Sequence, residues 1–116
     1  MSKKYHIKSE DIRPLATGRG GCVATDAITV EGRKIGFMYR DRPDRPGDSG
    51  WRFMVGDEDQ DYMDDPDNHG IYDVNTIANY EPLIVPLLDS PAGSVFERLP
   101  GTKGFRPVKD WSPPED

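Results

Sequence analysis

The sequence predicts a small single α+β domain, with an antiparallel sheet of about four to five strands, short helices and long loops. Three observations carry this expectation. Period-two alternation over residues 35–40 and 51–55 marks two half-buried strands. An Asp or Asn ahead of apolar residues at 73–80 marks a capped helix. Twelve glycines and eleven prolines in 116 residues keep the elements short. That length favours one domain. It divides into a loosely ordered lead-in over 1–20, a folded unit over 21–108 and a polar tail over 109–116.

In chain order, Ser9 is placed to cap a short turn through Glu10 to Arg13, and Pro14 stops it. Gly18, Gly20 and Gly21 mark a bend. Cys22 to Thr25 reads as a short buried strand. Ala27 to Val30 and Arg33 to Arg40 read as a hairpin turning at Glu31-Gly32. In its return strand Ile35, Phe37 and Tyr39 alternate with Gly36, Met38 and Arg40, which indicates one buried face. Residues 41–47 form a charged, Pro-rich connector. Trp51, Phe53 and Val55 then alternate with Arg52, Met54 and Gly56. Trp51 and Phe53 are expected in the core, and their strand is expected to pair antiparallel with residues 34–40.

Residues 57–72 read as an acidic loop. Asp73 or Asn75 caps a helix containing Ile77, Ala78 and Tyr80. Pro82 suits the first turn of another short helix, Leu83 to Leu88, which Pro86 strains or shortens. Pro91 and Gly93 make a turn, Ser94 to Leu99 alternates again, and Phe105 to Val108 is a final edge strand. The tail from Asp110 is polar and frayed.

The formal charge is −6, and it is unevenly distributed. Residues 57–67 hold seven acids and no Lys or Arg; the rest of the chain, with 15 basic and 14 acidic residues, sums to +1. The acidity is therefore one local feature. An acidic surface repels phosphates, which argues against nucleic acid as a direct partner. The longest apolar run, Leu83 to Leu88, is interrupted by Pro86, so no membrane span or membrane partner is expected. The N-terminal residues have no apolar signal core. With one cysteine, Cys22, no intramolecular disulfide can form, which fits a reducing, cytoplasmic location.

Several motifs invite chemistry and fail on spacing. Gly47-Asp48-Ser49-Gly50 copies the run around a chymotrypsin-like nucleophile, but the only upstream histidine is His6, in the lead-in. The stretch reads better as a turn in which Asp and Ser bond nearby amides. Asp65-Pro66-Asp67-Asn68-His69-Gly70 has carboxylates at positions one and three and Gly at six of a calcium loop. His69 then falls at five and Thr76 at twelve, where a bidentate Glu belongs. Asn79-Tyr80-Glu81-Pro82 reads as a helix junction. Arg40, Arg42, Arg45 and Arg52 read as partners for nearby acids. Cys22 has no neighbouring base and reads as a buried thiol. No enzyme, cofactor or metal site emerges.

The run Gly32-Arg33-Lys34-Ile35-Gly36-Phe37-Met38-Tyr39-Arg40, then Asp48-Ser49-Gly50-Trp51-Arg52-Phe53, Gly56-Asp57-Glu58, Asp65-Pro66-Asp67-Asn68, Asn75-Thr76-Ile77-Ala78-Asn79-Tyr80, and Leu87-Leu88-Asp89-Ser90-Pro91 through Phe96-Glu97-Arg98 resemble a bacterial family over about residues 22–98. That family was first classed as a domain of unknown function and later predicted to contain immunity proteins of polymorphic-toxin systems. The resemblance implies a non-enzymatic protein that neutralises a cognate toxin, and it brings no catalytic residues.

The acidic stretch suits a basic protein toxin as partner. Asp57, Glu58, Asp59, Asp61, Asp64 and Asp65 would steer it, and Tyr62 would anchor it. The alternative is a ligand- or cation-binding regulatory domain using the same stretch. Oligomeric state is not encoded in any of these features.

Overall fold

The computed structural model describes residues 4–43, 46–101, 104–109 and 111. At its centre is a six-stranded sheet of β1 (Gly21–Thr25), β2 (Phe37–Arg40), β3 (Asp48–Met54), β4 (His69–Asp73), β5 (Val95–Arg98) and β6 (Phe105–Pro107). Their spatial order is β4-β1-β3-β2-β5-β6. The helices are α1 (Asp26–Thr29), α2 (Gln60–Asp64) and α3 (Val74–Tyr80), with 3-10 turns at Ser9–Asp11, Pro66–Asn68 and Pro82–Leu87. The fold is α+β, as expected. The sheet has six strands rather than four to five, and it is mixed: β1 runs parallel to β3, and the other pairings are antiparallel.

Alternation gives the sheet two different faces. Register places Ala24 beside Phe53, Phe53 beside Met38, Met38 beside Phe96, and Cys22 beside Tyr72. On this face Cys22, Ala24, Met38, Trp51 and Phe53 are each at most 1% exposed. Ile28 of α1, Val74, Ile77 and Ala78 of α3, and Ile84 of the Pro82–Leu87 turn join them in one core. Burying these apolar groups is the main driving force for folding. The opposite face carries Ile71, Val23, Arg52 and Tyr39 in one row, with Met54 and Phe37 beside them. Neither α1 nor α3 covers it.

Several expectations held. Cys22 to Thr25 lies in a strand, and the residue 51–54 strand pairs antiparallel with Phe37–Arg40. Asp73 caps α3 by accepting the Asn75 amide at 2.8 Å. Phe105–Pro107 is an edge strand. The Gly47–Gly50 stretch is a turn only at Gly47, since Asp48 to Gly50 already belong to β3, but its side chains bond nearby amides as expected: Asp48 accepts the Gly50 amide at 2.9 Å and Ser49 the Trp51 amide at 3.2 Å. Gly50 sits at φ 89°, and a Cβ there would strike the Asp41 carbonyl oxygen.

Other expectations are corrected. The hairpin about Glu31-Gly32 does not form. Residues 26–29 are helical, with Ala27, Ile28 and Thr29 all buried, and three consecutive buried residues do not suit a one-sided strand. In β2 the fully buried side chain is Met38, whereas Phe37 and Tyr39 are half-buried on the other face. The turn at Ser9 ends at Asp11 and has no side-chain cap. The helix opened by Pro82 is a 3-10 turn; its bonds run from Ile84 to Glu81 and from Leu88 to Val85. Pro86, lacking an N–H, disfavours the α form there. Residues 57–72 are not a loop throughout, since α2, a 3-10 turn and most of β4 lie within them. Arg40 spends its guanidinium on the carbonyls of Ser49 and Ser90, not on an acid. Arg45 and, apart from Trp111, the tail from Asp110 lie outside the described residues.

The lead-in runs against α3. Asn75 Oδ1 accepts the amides of Leu15 and Ala16 at 2.7 and 2.8 Å, and Asn79 Oδ1 accepts that of Arg13 at 2.9 Å. The Tyr80 hydroxyl donates to the Thr29 carbonyl and accepts the Ile7 amide. Asn79 to Pro82 is the expected junction between α3 and the Pro82–Leu87 turn, and together with Asn75 its Asn79 and Tyr80 also clamp the lead-in and the end of α1.

Candidate functional site

The acidic stretch begins where β3 ends. Asp57 pairs with Arg33 across its exposed surface, and that guanidinium holds its carboxyl below the usual range. Exposed pairs of this kind contribute little to stability. Glu58 turns inward instead. Its carboxylate accepts the Thr25 hydroxyl at 2.7 Å and the Val55 and Gly56 amides at 2.9 and 2.7 Å. Asp59 is the cap of α2, accepting the Tyr62 amide at 2.8 Å. Asp61 is exposed. Asp64, also exposed, accepts the Gln60 side-chain amide at 2.7 Å. Asp65 accepts the Asp67 amide at 2.9 Å and opens the next 3-10 turn.

These bonds explain how seven like charges occupy eleven residues in an ordered conformation. Backbone N–H groups and a helix N-terminus face several of the carboxylates and offset their mutual repulsion. Tyr62 is half-buried, and its hydroxyl accepts the Ala27 amide at 2.9 Å. It thereby satisfies one of the free N–H groups at the start of α1. Burial pushes the Tyr62 hydroxyl pKa up. The seven sequence-selected residues follow one another along the chain, but they are deployed unequally. Asp61 and Asp64 point outward, whereas Glu58 and Tyr62 bind other parts of the fold.

Glu58 gives a pH-dependent prediction. Burial pushes its carboxyl up, but the bonds from Thr25, Val55 and Gly56 outweigh burial and hold it below its usual 4.5. A depressed folded pKa contributes stability that is present above the unfolded value and is lost as pH falls through the folded one. Glu58→Gln is therefore expected to lower the urea midpoint at about pH 7, and the gap to the parent should close as pH falls below the usual 4.5. A gap independent of pH would assign the effect to shape rather than to charge.

The uncovered sheet face adjoins this stretch. Arg52 and Asp48 form a two-bonded ion pair at 3.0 and 2.9 Å, with side chains 13% and 10% exposed. Alongside, Trp111 packs on Phe37 and Tyr39, with ring centroids 4.9 and 4.8 Å apart. A groove of about 400 Å³ separates this aromatic group and Met54 from Gln60 and Met63 of α2. The groove is not legible in the sequence. Trp111 lies in a polar tail, and Met63 lies among acids, so neither marked a surface.

Cys22 is buried, which pushes its thiol pKa far up. The Ser49 hydroxyl donates to a carbonyl, not to a base. Among the described residues no three His, Cys, Asp or Glu side chains are placed to share a metal ion. No helix among them is long and apolar enough to cross a membrane.

Residues 22–109 match the immunity protein Imm33 domain. The chain belongs to this family. The matched span contains β2 to β6, all three α-helices and all but the first residue of β1, so the Imm33 domain includes the whole sheet core and the acidic surface. Neither the curated proteins nor the solved structures contain a match to the chain. Membership makes this an immunity-protein domain, a class defined by toxin neutralisation.

Proposed function

We propose that this Imm33 domain neutralises a basic cognate toxin in the cytoplasm by covering its active surface, with residues 57–67 making the first contact. The observation that carries the reading is the ordered concentration of seven acids on a chain that is otherwise nearly neutral. Such a patch steers a basic partner and speeds association. Inhibition by covering needs no nucleophile, no cofactor and no nucleic-acid or membrane contact. No observation favours the regulatory, cation-binding alternative over it.

The test is a pull-down from the native host at low and moderate salt. The retained protein is then expressed alone and beside the immunity domain. Rescue of growth supports the reading; no retained protein whose toxicity is relieved would overturn it. The variant for the steering surface carries Asp61→Asn, Asp64→Asn and Asp67→Asn. It spares Glu58 and Asp59, which hold the local fold. At low salt its association rate with the toxin should fall by roughly tenfold to a hundredfold, and the difference should shrink as salt rises. An unchanged rate would place the contact elsewhere.

A further inference from the structure

We propose that the groove on the uncovered sheet face seats an arginine side chain of the partner. The proposal rests on the reading above, that residues 57–67 face a basic toxin. It goes further by naming the pocket that this toxin fills.

One wall is aromatic. Trp111 packs at 71° on Phe37 and at 52° on Tyr39, and all three rings are only half-buried. Half-exposed Trp and Tyr clustered together are the residue types that dominate interface energies. The other wall is α2, which offers Gln60 and Met63. Glu58 also lines the groove, its carboxylate fixed there by the Thr25 hydroxyl and the Val55 and Gly56 amides, so an anionic group with no cationic partner among these bonds stands in the wall.

Aromatic faces attract cations, and the carboxylate adds charge complementarity. A guanidinium suits this pairing better than an ammonium. It is planar, weakly hydrated and able to stack on a ring while bonding a carboxylate edge-on. A purely apolar side chain would fill the groove but bring no positive charge to the Glu58 carboxylate.

The experiment uses an amidated tetra-arginine peptide, with amidated tetralysine as the equal-charge control. The readout is the pair of tryptophan indole N–H resonances of the isotope-labelled protein. Trp51 is the internal reference, because its indole is buried and donates to the Leu88 carbonyl. Tetra-arginine should shift the Trp111 indole saturably and leave Trp51 in place. Tetralysine should bind roughly tenfold more weakly. Met63→Lys, an α2 surface change that puts an ammonium into the groove, should weaken tetra-arginine by roughly tenfold or more. Trp111→Leu removes the reporter indole, so its affinity for tetra-arginine is read by titration calorimetry and should be weakened comparably, while an apolar cover is kept.

Movement confined to residues 57–67, or equal response to both peptides, would overturn the arginine seat. Neither outcome touches the pull-down, which uses the toxin itself. Conversely, an absent toxin leaves the peptide result standing.

Discussion

Trp51→Ala is expected to lower folding stability by about 3–5 kcal/mol. No other side chain in the core is as large, and it is 1% exposed. Its ring stacks on Phe53 at 5.9 Å and 16°, with Phe96 at 6.4 Å and the Arg40 guanidinium 5.8 Å from its centroid. Its indole N–H donates to the Leu88 carbonyl at 3.2 Å, which joins the sheet to the end of the Pro82–Leu87 turn. Truncation removes all of these contacts and leaves a void that a close-packed core cannot fully close. Trp51→Phe keeps one aromatic ring against Phe53 but loses the N–H and part of the indole's bulk, so a smaller loss of about 1–3 kcal/mol follows. Urea unfolding followed by far-ultraviolet circular dichroism checks both, and it does not depend on tryptophan emission. Equal losses for the two variants would assign the effect to the hydrogen bond rather than to packing.

The difference between what the sequence revealed and what it concealed has a physical pattern. β3 was legible because the large aromatics Trp51 and Phe53 fall two residues apart with Arg52 between them, and that periodicity is local. The Asp73 cap was legible because its bond reaches only two residues. α1 was misread because Ile28 and Val30 favour strands in isolation. What decides against a strand is non-local: the Tyr62 hydroxyl, 35 residues away, receives the Ala27 N–H. The parallel β1–β3 pair was likewise hidden. Neighbouring strands are expected to be antiparallel hairpins, yet β3 inserts between β1 and β2, where Phe53 meets both Ala24 and Met38. Within the acidic stretch the charge was visible, but its division of labour was not. Asp59 and Asp65 cap local turns, a pattern present in the sequence and masked by the density of acids. Glu58 bonds Thr25, 33 residues away, and only the fold shows that.

Arg98→Met should also cost about 3–5 kcal/mol, for a different reason. Arg98 leaves β5 on the core face and pairs with Glu81, which is 7% exposed. Its Nε donates to the Ile35 carbonyl at 2.9 Å, and its guanidinium lies 4.9 Å from the Phe105 ring centroid. Removing the cation leaves a carboxylate without its partner in a nearly dry site, which is costlier than losing the attraction itself. Replacing both partners tests this directly. Arg98→Met with Glu81→Leu should recover most of the loss, because no charge is left buried. The adjacent residue supplies the control. Glu97 points to the other face and bonds Arg106 at 2.6 Å, with side chains 36% and 56% exposed. Arg106→Met should cost less than about 1 kcal/mol, since water solvates whichever charge remains. The two pairs begin one residue apart on the same strand, so the pleat alone decides which face each occupies. If the Arg98→Met loss is large and the double change does not relieve it, then Arg98 acts through Ile35 and Phe105 rather than through Glu81. If it is relieved, the Glu81 pair fixes geometry more than it adds stability, holding the residue after α3 against the sheet.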